Sequence, residues 1–352
     1  MRIGCVPESL LESIGLRTGM VPTFLLESLG GLLLTRQLMA GAKLGIFALL
    51  GTGPLRAEDV ATRLGTAPGA TEKLLSALVG ARALVFKEGL FALAPGARRW
   101  LDPESPSSIL DNLLFRYDEW RFTENLEEFV QTGRPLDVHQ TLRGEAWGRY
   151  QRGMRSLAGL SAAEVVRRTP VPAGARAMLD VGGSHGFVSV SFCRKYPGLS
   201  AVVLDLQTAV EQAAPILAQD LARESLEGRV VHRPGNVLTD ELGRDDWDVV
   251  FVGQLVHHFD DATNRDLVRR IAKALRPGGV LVLQEVIRPA TPGEGGQLGA
   301  LMDLYFALTS TAGTWSFRDM ADWQRGAGLS ASTPVRLRTA PGIGLQIARR
   351  PS

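Results

Sequence analysis

Residues able to do chemistry gather in two stretches of this chain. In the first, Met178-Leu-Asp-Val-Gly-Gly-Ser-His-Gly-Phe187, an apolar run carrying Asp180 breaks into Gly182, Gly183 and Gly186. A second apolar run, Ala201 to Leu204, then ends in Asp205. Glycines at a strand-to-helix turn let a ligand approach the backbone, because no Cβ blocks it. An acid ending the next strand can accept hydrogen bonds from two ribose hydroxyls. Together they describe a nucleoside cradle. The G-x-G-x-x-G spacing of dinucleotide sites fails in both registers, since Ser184 and Phe187, or His185 and Val188, occupy required glycine positions. The triphosphate loop G-x-x-x-x-G-K-[ST] does not occur either. The second stretch, Asp248 to Asp261, reads DVVFVGQLVHHFDD: a strand-like run that opens into Gln254, His257 and His258. A histidine, with an ordinary pKa of about 6.5, suits proton abstraction near neutral pH. Taken alone, His257 reads as a helix cap or core polar group; beside the cradle it reads as a base. His258 reads as facing solvent or pairing with Asp260 or Asp261, and His185 as a local hydrogen-bonder within its turn.

These side chains need a sheet to hold them. From Ala175 onward strand-like and helix-like segments alternate. The strands are expected at Ala177–Val181, Ser200–Asp205, Arg229–Arg233, Asp248–Val252 and Gly279–Gln284, with late ones near Val335 and at Ile343–Ala348. A helix from Asn264 to Leu275 lines Leu267, Ile271 and Leu275 on one face, and Pro277-Gly278-Gly279 is expected to stop it. Such alternation gives a mostly parallel, doubly wound sheet whose ligands sit at the carboxyl ends of the strands. Asp180, Asp205, Asn236 and His257 all fall at that edge.

Three zones follow: residues 1–103, 104–172 and 173–352. In the first, RAEDVATRLG and PGATEKLLSALVGARAL read as two helices, and VFKEGLFAL as a hairpin with Glu88-Gly89 at its tip. This is a winged-helix pattern, all-helical but for the hairpin. A DNA-reading second helix would present Arg, Lys, Asn or Gln. This one offers Leu74, Leu75, Leu78 and Val79, with only Lys73 and Arg82 as cations, so dimerisation is expected and DNA binding is not. The apolar stretch Met20–Leu50 is interrupted by Glu27, Arg36 and Lys43, which argues against a membrane span. It reads as a buried helix at a subunit interface. The middle zone is helical and rich in aromatics, including Trp120 and Trp147, whose readings are core filler or the roof of a flat substrate. A net charge of +2 gives no nucleic-acid footprint. Two cysteines far apart, Cys5 and Cys193, fit a reducing cytoplasm. No metal site is expected, since the adjacent His257 and His258 point different ways and no ligand spacing recurs.

The string LDVGGSHGFVSVSFCRKYPGLSAVVLDL resembles the cofactor site of class I S-adenosylmethionine-dependent methyltransferases. The whole chain, winged-helix front included, is similar to the small-molecule O-methyltransferases of the plant caffeate and bacterial polyketide type. That resemblance implies an α/β, Rossmann-like class I methyltransferase domain behind a winged-helix dimerisation domain, working as a homodimer on a small molecule. It carries the base to His257, in the His257-His258-Phe259-Asp260-Asp261 counterpart of an H-D-W-x-D segment, and the acid orienting that base to Glu285. Asp205 matches the ribose acid, Asn236 in Gly235-Asn236 the adenine reader, and Gly182, Gly183 and Gly186 the turn glycines. Asp180, Ser184, Leu206, Val237 and Gln254 complete the implied cofactor wall. Met302, Tyr305 and Phe306 match a helix flanking the substrate, with interdomain packing an equal reading. The chain departs from the pattern at four places. Ser184 replaces the middle glycine of the turn, His258 a plant Asp, and Gly253 a plant Lys. Trp315 stands where a second base-flanking acid belongs and is expected to add an aromatic surface for a planar acceptor. Relatives that methylate carbon, or do not methylate, keep a second outcome open. A DNA-binding regulator and a non-catalytic scaffold are the remaining rivals.

Overall fold

The computed structural model describes residues 4–294 and 296–352. One compact unit ends at Tyr117 and a second begins at Asp118, within a single helix. The first unit contains α1 (Leu10–Arg17), α2 (Thr23–Lys43), α3 (Ile46–Gly51), α4 (Ala57–Leu64) and α5 (Pro68–Gly80). The hairpin β1 (Leu84–Lys87) and β2 (Leu90–Leu93), α6 (Pro95–Leu101) and the start of α7 (Leu110–Thr123) complete it. Acidic Glu58 and Asp59 favour the first turn of α4, a left-handed Gly65 ends it, and Pro68 starts α5. Glu88 and Gly89 both take positive φ, 52° and 78°, the geometry of a two-residue hairpin turn. Leu75 and Leu78 of α5 are fully buried against Phe47, Val60 and Leu84, so this second helix spends its apolar face on its own core.

The apolar stretch around α2, expected to be buried at a subunit interface, is largely exposed on the single chain. Only Met39 and Gly41 of α2 are buried, whereas Phe24, Leu25, Leu26, Leu29, Leu32, Leu33 and Leu34 are exposed. The helix is apolar nearly all round, yet its own chain covers only its C-terminal end. No helix among the described residues is long and apolar enough to cross a membrane.

The second unit starts with α8 (Leu126–Thr132), α9 (Val138–Thr141) and the long α10 (Glu145–Arg168). Then follow β3 (Ala177–Val181), α11 (Phe187–Lys195), β4 (Ser200–Asp205), α12 (Gln207–Glu224), β5 (Val230–Pro234) and β6 (Trp247–Gly253). α13 (Asp261–Ala274), β7 (Leu275–Val286), α14 (Gln297–Thr309), α15 (Phe317–Gly326), β8 (Ser330–Ala331), β9 (Val335–Arg336) and β10 (Ile343–Arg349) complete it. The sheet order is β5-β4-β3-β6-β7-β10-β8, with β9 also on β10. The first five strands are parallel, and β10 is antiparallel to β7. Both faces are covered, so the strands read as continuous apolar runs. Val249 and Phe251 pack with Phe192 and Leu217 on one side, while Val250 and Val252 pack with Leu267, Ile271 and Trp323 on the other.

α13 begins three residues before the position expected, because Asp260 caps it by accepting from Thr263 N at 2.8 Å. It ends at Ala274, and Leu275 is already in β7, ahead of the Pro277-Gly278 pair expected to stop the helix. The order of strands reverses between β3 and β6. That switch point opens a crevice at the carboxyl ends of the strands, where the turn after β3 and the segment after β6 face each other.

Candidate functional site

The glycine turn is shaped by contact as much as by flexibility. Gly182 has φ of +65°, and a Cβ there would lie 2.8 Å from the Leu255 side chain. A Cβ on Gly183 would fall 2.4 Å from the Asp180 carboxyl carbon. Gly186 caps α11. Asp180 itself is buried beneath the turn, accepting from Ser189 Oγ at 2.7 Å, and its other oxygen has no partner among the described residues. Burial pushes its carboxyl up to about 7, against the pull of the Ser189 bond and with a further push from the Asp205 charge. An acid whose folded pKa is raised stabilises the fold at pH below its unfolded value, and that contribution is lost as pH rises through about 7. Asp180→Asn, neutral throughout, is therefore expected to gain in melting temperature over the parent between about pH 5 and about pH 8. Scanning calorimetry that finds the difference flat across that interval would contradict it.

Asp205 sits at the end of β4 and accepts from Leu206 N at 2.7 Å and Ser184 N at 2.8 Å, one on each oxygen. Burial raises it to about 6 despite these two bonds. Ser184 takes a left-handed φ of 53°. Its carbonyl accepts from His232 Nε2 at 2.8 Å, and its hydroxyl donates to Gln151 Oε1 of α10. Beyond β5, Asn236 lines the crevice, with its Oδ1 accepting from Leu238 N at 3.0 Å and its own N–H bonded to Asp240. One lone pair of that oxygen and the whole amide nitrogen remain for a base. Gln254 follows β6 with φ of 53°, and its Nε2 is buried without a partner among the described residues. A Cβ at Gly253 would press to 2.6 Å from the Phe251 ring, so this chain has no room there for a larger residue.

The short 3-10 turn Val256–His258 carries the two histidines. His257 is 3% exposed and Glu285, on β7, is fully buried. His257 Nδ1 lies 3.0 and 2.9 Å from the two Glu285 oxygens. A carboxylate only accepts, so Nδ1 carries the proton and Nε2 keeps its lone pair. The Phe306 ring of α14 stacks on the imidazole at 3.7 Å and 16°. The turn is braced at the Val256 carbonyl, which accepts from Asn264 Nδ2 at 2.9 Å and Trp315 Nε1 at 3.0 Å. Trp315 thus does not form a wall for a flat acceptor. Its ring packs edge-on against Trp323 at 5.0 Å, and its N–H pins the residue preceding His257.

His258 does not point to solvent or to Asp260 and Asp261. Its Nδ1 lies 2.6 Å from Ser310 Oγ, and its ring meets His139 edge-on at 4.4 Å. His139 also packs against Trp147 and Tyr150. Burial holds His258 well below the ordinary histidine value and His139 at about 4, with charge on neighbouring histidines adding to each shift.

A crevice of about 1190 Å³, its open mouth included, gathers these parts. Of the sequence candidates it brings together Gly182, Ser184, Asp205, Leu206, Gly235, Asn236, Val237, Gln254 and Trp147. Asp180, Gly183 and Gly186 back the turn and do not line it. His257 and Glu285 do not line it, and neither do Trp120, Met302, Tyr305, Phe306 and Trp315. Tyr305 instead donates to Glu119 at 3.3 Å. Among the lining residues that sequence reasoning missed are His139, Gln151, His258 as a wall residue, and Ser310, whereas Tyr150 belongs to the middle-zone aromatics read as core filler or substrate roof. Only α10's spacing of Trp147, Tyr150 and Gln151 carried a usable sign, since neighbours on one turn share a face. No group of three His, Cys, Asp or Glu able to hold a metal occurs among the described residues.

Residues 132–329 match the profile of the O-methyltransferase domain, and residues 26–103 that of the O-methyltransferase dimerisation domain. The chain is 26% identical to the 3-hydroxy-5-methyl-1-naphthoate 3-O-methyltransferase of Streptomyces sahachiroi, over 89% of this chain and 90% of that one. It is also 26% identical to the L-tyrosine C(3)-methyltransferase of Streptomyces lavendulae, over 79% and 78%. Among solved structures it is similar to human N-acetylserotonin methyltransferase in complex with S-adenosylmethionine. The TM-score is 0.80 at 20% identity, covering 94% of this chain and 97% of that one.

Proposed function

Because the chain belongs to the O-methyltransferase family, whose methyl donor is S-adenosylmethionine, we propose that it methylates a hydroxyl of a flat, mostly apolar small molecule, with His257 as general base. The observation that carries this reading is the buried pair of His257 and Glu285, which fixes the imidazole with Nε2 as its free base. The crevice fits the donor. Asp205 keeps lone pairs for two ribose hydroxyls, Asn236 can meet an adenine edge, and Gly182 brings bare backbone to the wall. The unpaired Gln254 Nε2 calls for an acceptor from a ligand. When bound, the donor supplies an electrophilic methyl on a sulfonium.

What the chain adds is position and proton transfer. Trp147 and Tyr150 hold a planar acceptor, and the acceptor's proton passes to His257 Nε2 as its oxygen takes the methyl. Glu285 steadies the resulting imidazolium, as a buried carboxylate does for a catalytic histidine elsewhere. Phe306 covers one face of the ring at 3.7 Å and leaves the in-plane lone pair of Nε2 uncovered by that contact.

One observation favours a second assignment of the base: His258, not His257, lines the crevice. Burial keeps its imidazole neutral at physiological pH and makes it a weaker base than an ordinary histidine, and its Nδ1 meets a hydroxyl in place of a carboxylate. The C-methylating relative keeps a second outcome in play as well. The test is the fate of a carbon-13 methyl from labelled S-adenosylmethionine, offered with hydroxylated naphthalenes and read by carbon NMR. Label in an aryl ether supports the proposal; label on ring carbon overturns it.

The same proposal includes a homodimer built through the first unit, a small molecule as partner in place of nucleic acid or membrane, and a cytoplasmic role in secondary metabolism. Supporting the dimer, the exposed leucines of α2 overlap the dimerisation domain. Leu29→Glu with Leu33→Glu places two charges on that face. Sedimentation is expected to show monomer for the double variant and dimer for the parent. A variant that remains dimeric contradicts this placement.

A further inference from the structure

Helix α10 meets the glycine turn at a side chain that the family resemblance does not account for. Gln151 is 1% exposed, yet it lines the crevice. Its Oε1 accepts from Ser184 Oγ, and its Nε2 is buried with no partner among the described residues. A buried amide donor left unpaired costs free energy, and native folds leave few of them. One that borders a ligand crevice marks where a ligand's acceptor belongs.

The neighbouring groups say which acceptor. Ser184 also gives its N–H to Asp205 at 2.8 Å, so Asp205, Ser184 and Gln151 form one connected row. A nucleoside held by its ribose at Asp205 carries its 5′ substituent along the glycine turn, toward Gln151. In S-adenosylmethionine that substituent ends in an amino acid, whose carboxylate is a strong acceptor. No Lys or Arg among the described residues lines the crevice, so neutral donors there have to meet that charge. Gln254 brings a second unpaired amide nitrogen to the same wall.

We propose that Gln151, oriented by the Ser184 hydroxyl, hydrogen-bonds the carboxylate of the donor's methionine portion, with Gln254 as a second donor. This rests on the reading that S-adenosylmethionine occupies the crevice. Ser184 then has a use that glycine cannot supply: it ties up Oε1 and leaves the N–H2 end of the amide for the ligand. Gln151 and Ser184 are positioning residues, acting on the methyl through the portion of the donor remote from it.

The test compares two nucleosides on the full chain by calorimetry. S-adenosylhomocysteine carries the amino acid, and 5′-methylthioadenosine lacks it. Gln151→Ala is expected to weaken S-adenosylhomocysteine about 10- to 100-fold, the scale of a hydrogen bond to a charged group, and 5′-methylthioadenosine by less than about threefold. Gln151→Glu, which sets charge against charge, is expected to lose more, and Ser184→Gly to move the same way by less. Retained 5′-methylthioadenosine binding shows that the variants are folded. Equal losses for the two nucleosides, or no loss, overturn the role of Gln151 while leaving the donor reading intact. A parent protein that binds neither nucleoside overturns the donor reading and this inference with it.

Discussion

Exchange of His257 for alanine is expected to lower turnover about 100- to 10,000-fold, the range a positioned base supplies, while S-adenosylhomocysteine affinity changes little. The geometry sets both halves of that expectation. His257 does not line the crevice and is held at Nδ1 by two Glu285 oxygens at 3.0 and 2.9 Å, so its removal takes away proton transfer without touching the nucleoside wall. Glu285→Gln is the companion variant. Glu285 Oε1 also accepts from Val286 N at 2.8 Å, which makes that oxygen the one an amide would keep as acceptor. The amide nitrogen then replaces Oε2, the nearer of the two contacts to Nδ1, and favours the tautomer with its lone pair there and its proton at Nε2. The wrong tautomer at a catalytic histidine has cost about 10,000-fold where a triad Asp was changed to Asn. A loss of that order, with cofactor binding retained, is expected here too. Unchanged turnover in His257→Ala, measured as S-adenosylhomocysteine release, removes it from the base role and moves the assignment to His258.

The second large effect is at Asp205. Both of its oxygens are already used by backbone N–H groups, from Ser184 and Leu206. Asp205→Asn keeps the shape but turns one oxygen into a donor that meets a backbone N–H head-on. The nucleoside would also lose a charged acceptor for its ribose. Two hydrogen bonds to a charged group, each worth about 1.5–3 kcal/mol, put the expected loss of S-adenosylhomocysteine affinity at about 100-fold or more. Calorimetry reads it directly. The acid also predicts a pH dependence. Its pKa of about 6 means that cofactor affinity falls as pH drops through that value and the carboxylate takes up a proton. Affinity in Asp205→Asn is expected to be flat over the same interval. A parent affinity that does not weaken toward about pH 5 contradicts the ribose role.

Much of this architecture could be read from the chain because its determinants are local. Apolar runs buried on both faces mark β3, β4 and β6 within a residue of their ends. The Glu88-Gly89 turn and the Leu75–Leu78 face of α5 follow from short-range rules as well. What could not be read depends on contacts far along the chain. Ser310 is 52 residues from His258, and no spacing rule joins them, so His258 read as facing solvent or pairing with Asp260 or Asp261. Trp315 looked like an acceptor surface because its neighbours were unknown; a carbonyl 59 residues away fixes its indole instead. The partner of Ser184 is Gln151, 33 residues upstream, which turns an apparent defect in the glycine motif into a contact. α2 marks a different limit. Apolar composition says that a surface will be covered, but not whether its own chain covers it.

The central claim, that His257 takes the acceptor's proton, is tested most directly by varying that proton's acidity. A series of naphthols whose hydroxyl acidity is stepped by fluorine substitution would be offered to the parent and to His257→Ala, and kcat/KM compared for each. If His257 is the base, the gap between the two proteins is widest for the least acidic naphthol and closes as the hydroxyl ionises without help. A gap that stays constant along the series, or is absent from its start, contradicts the claim.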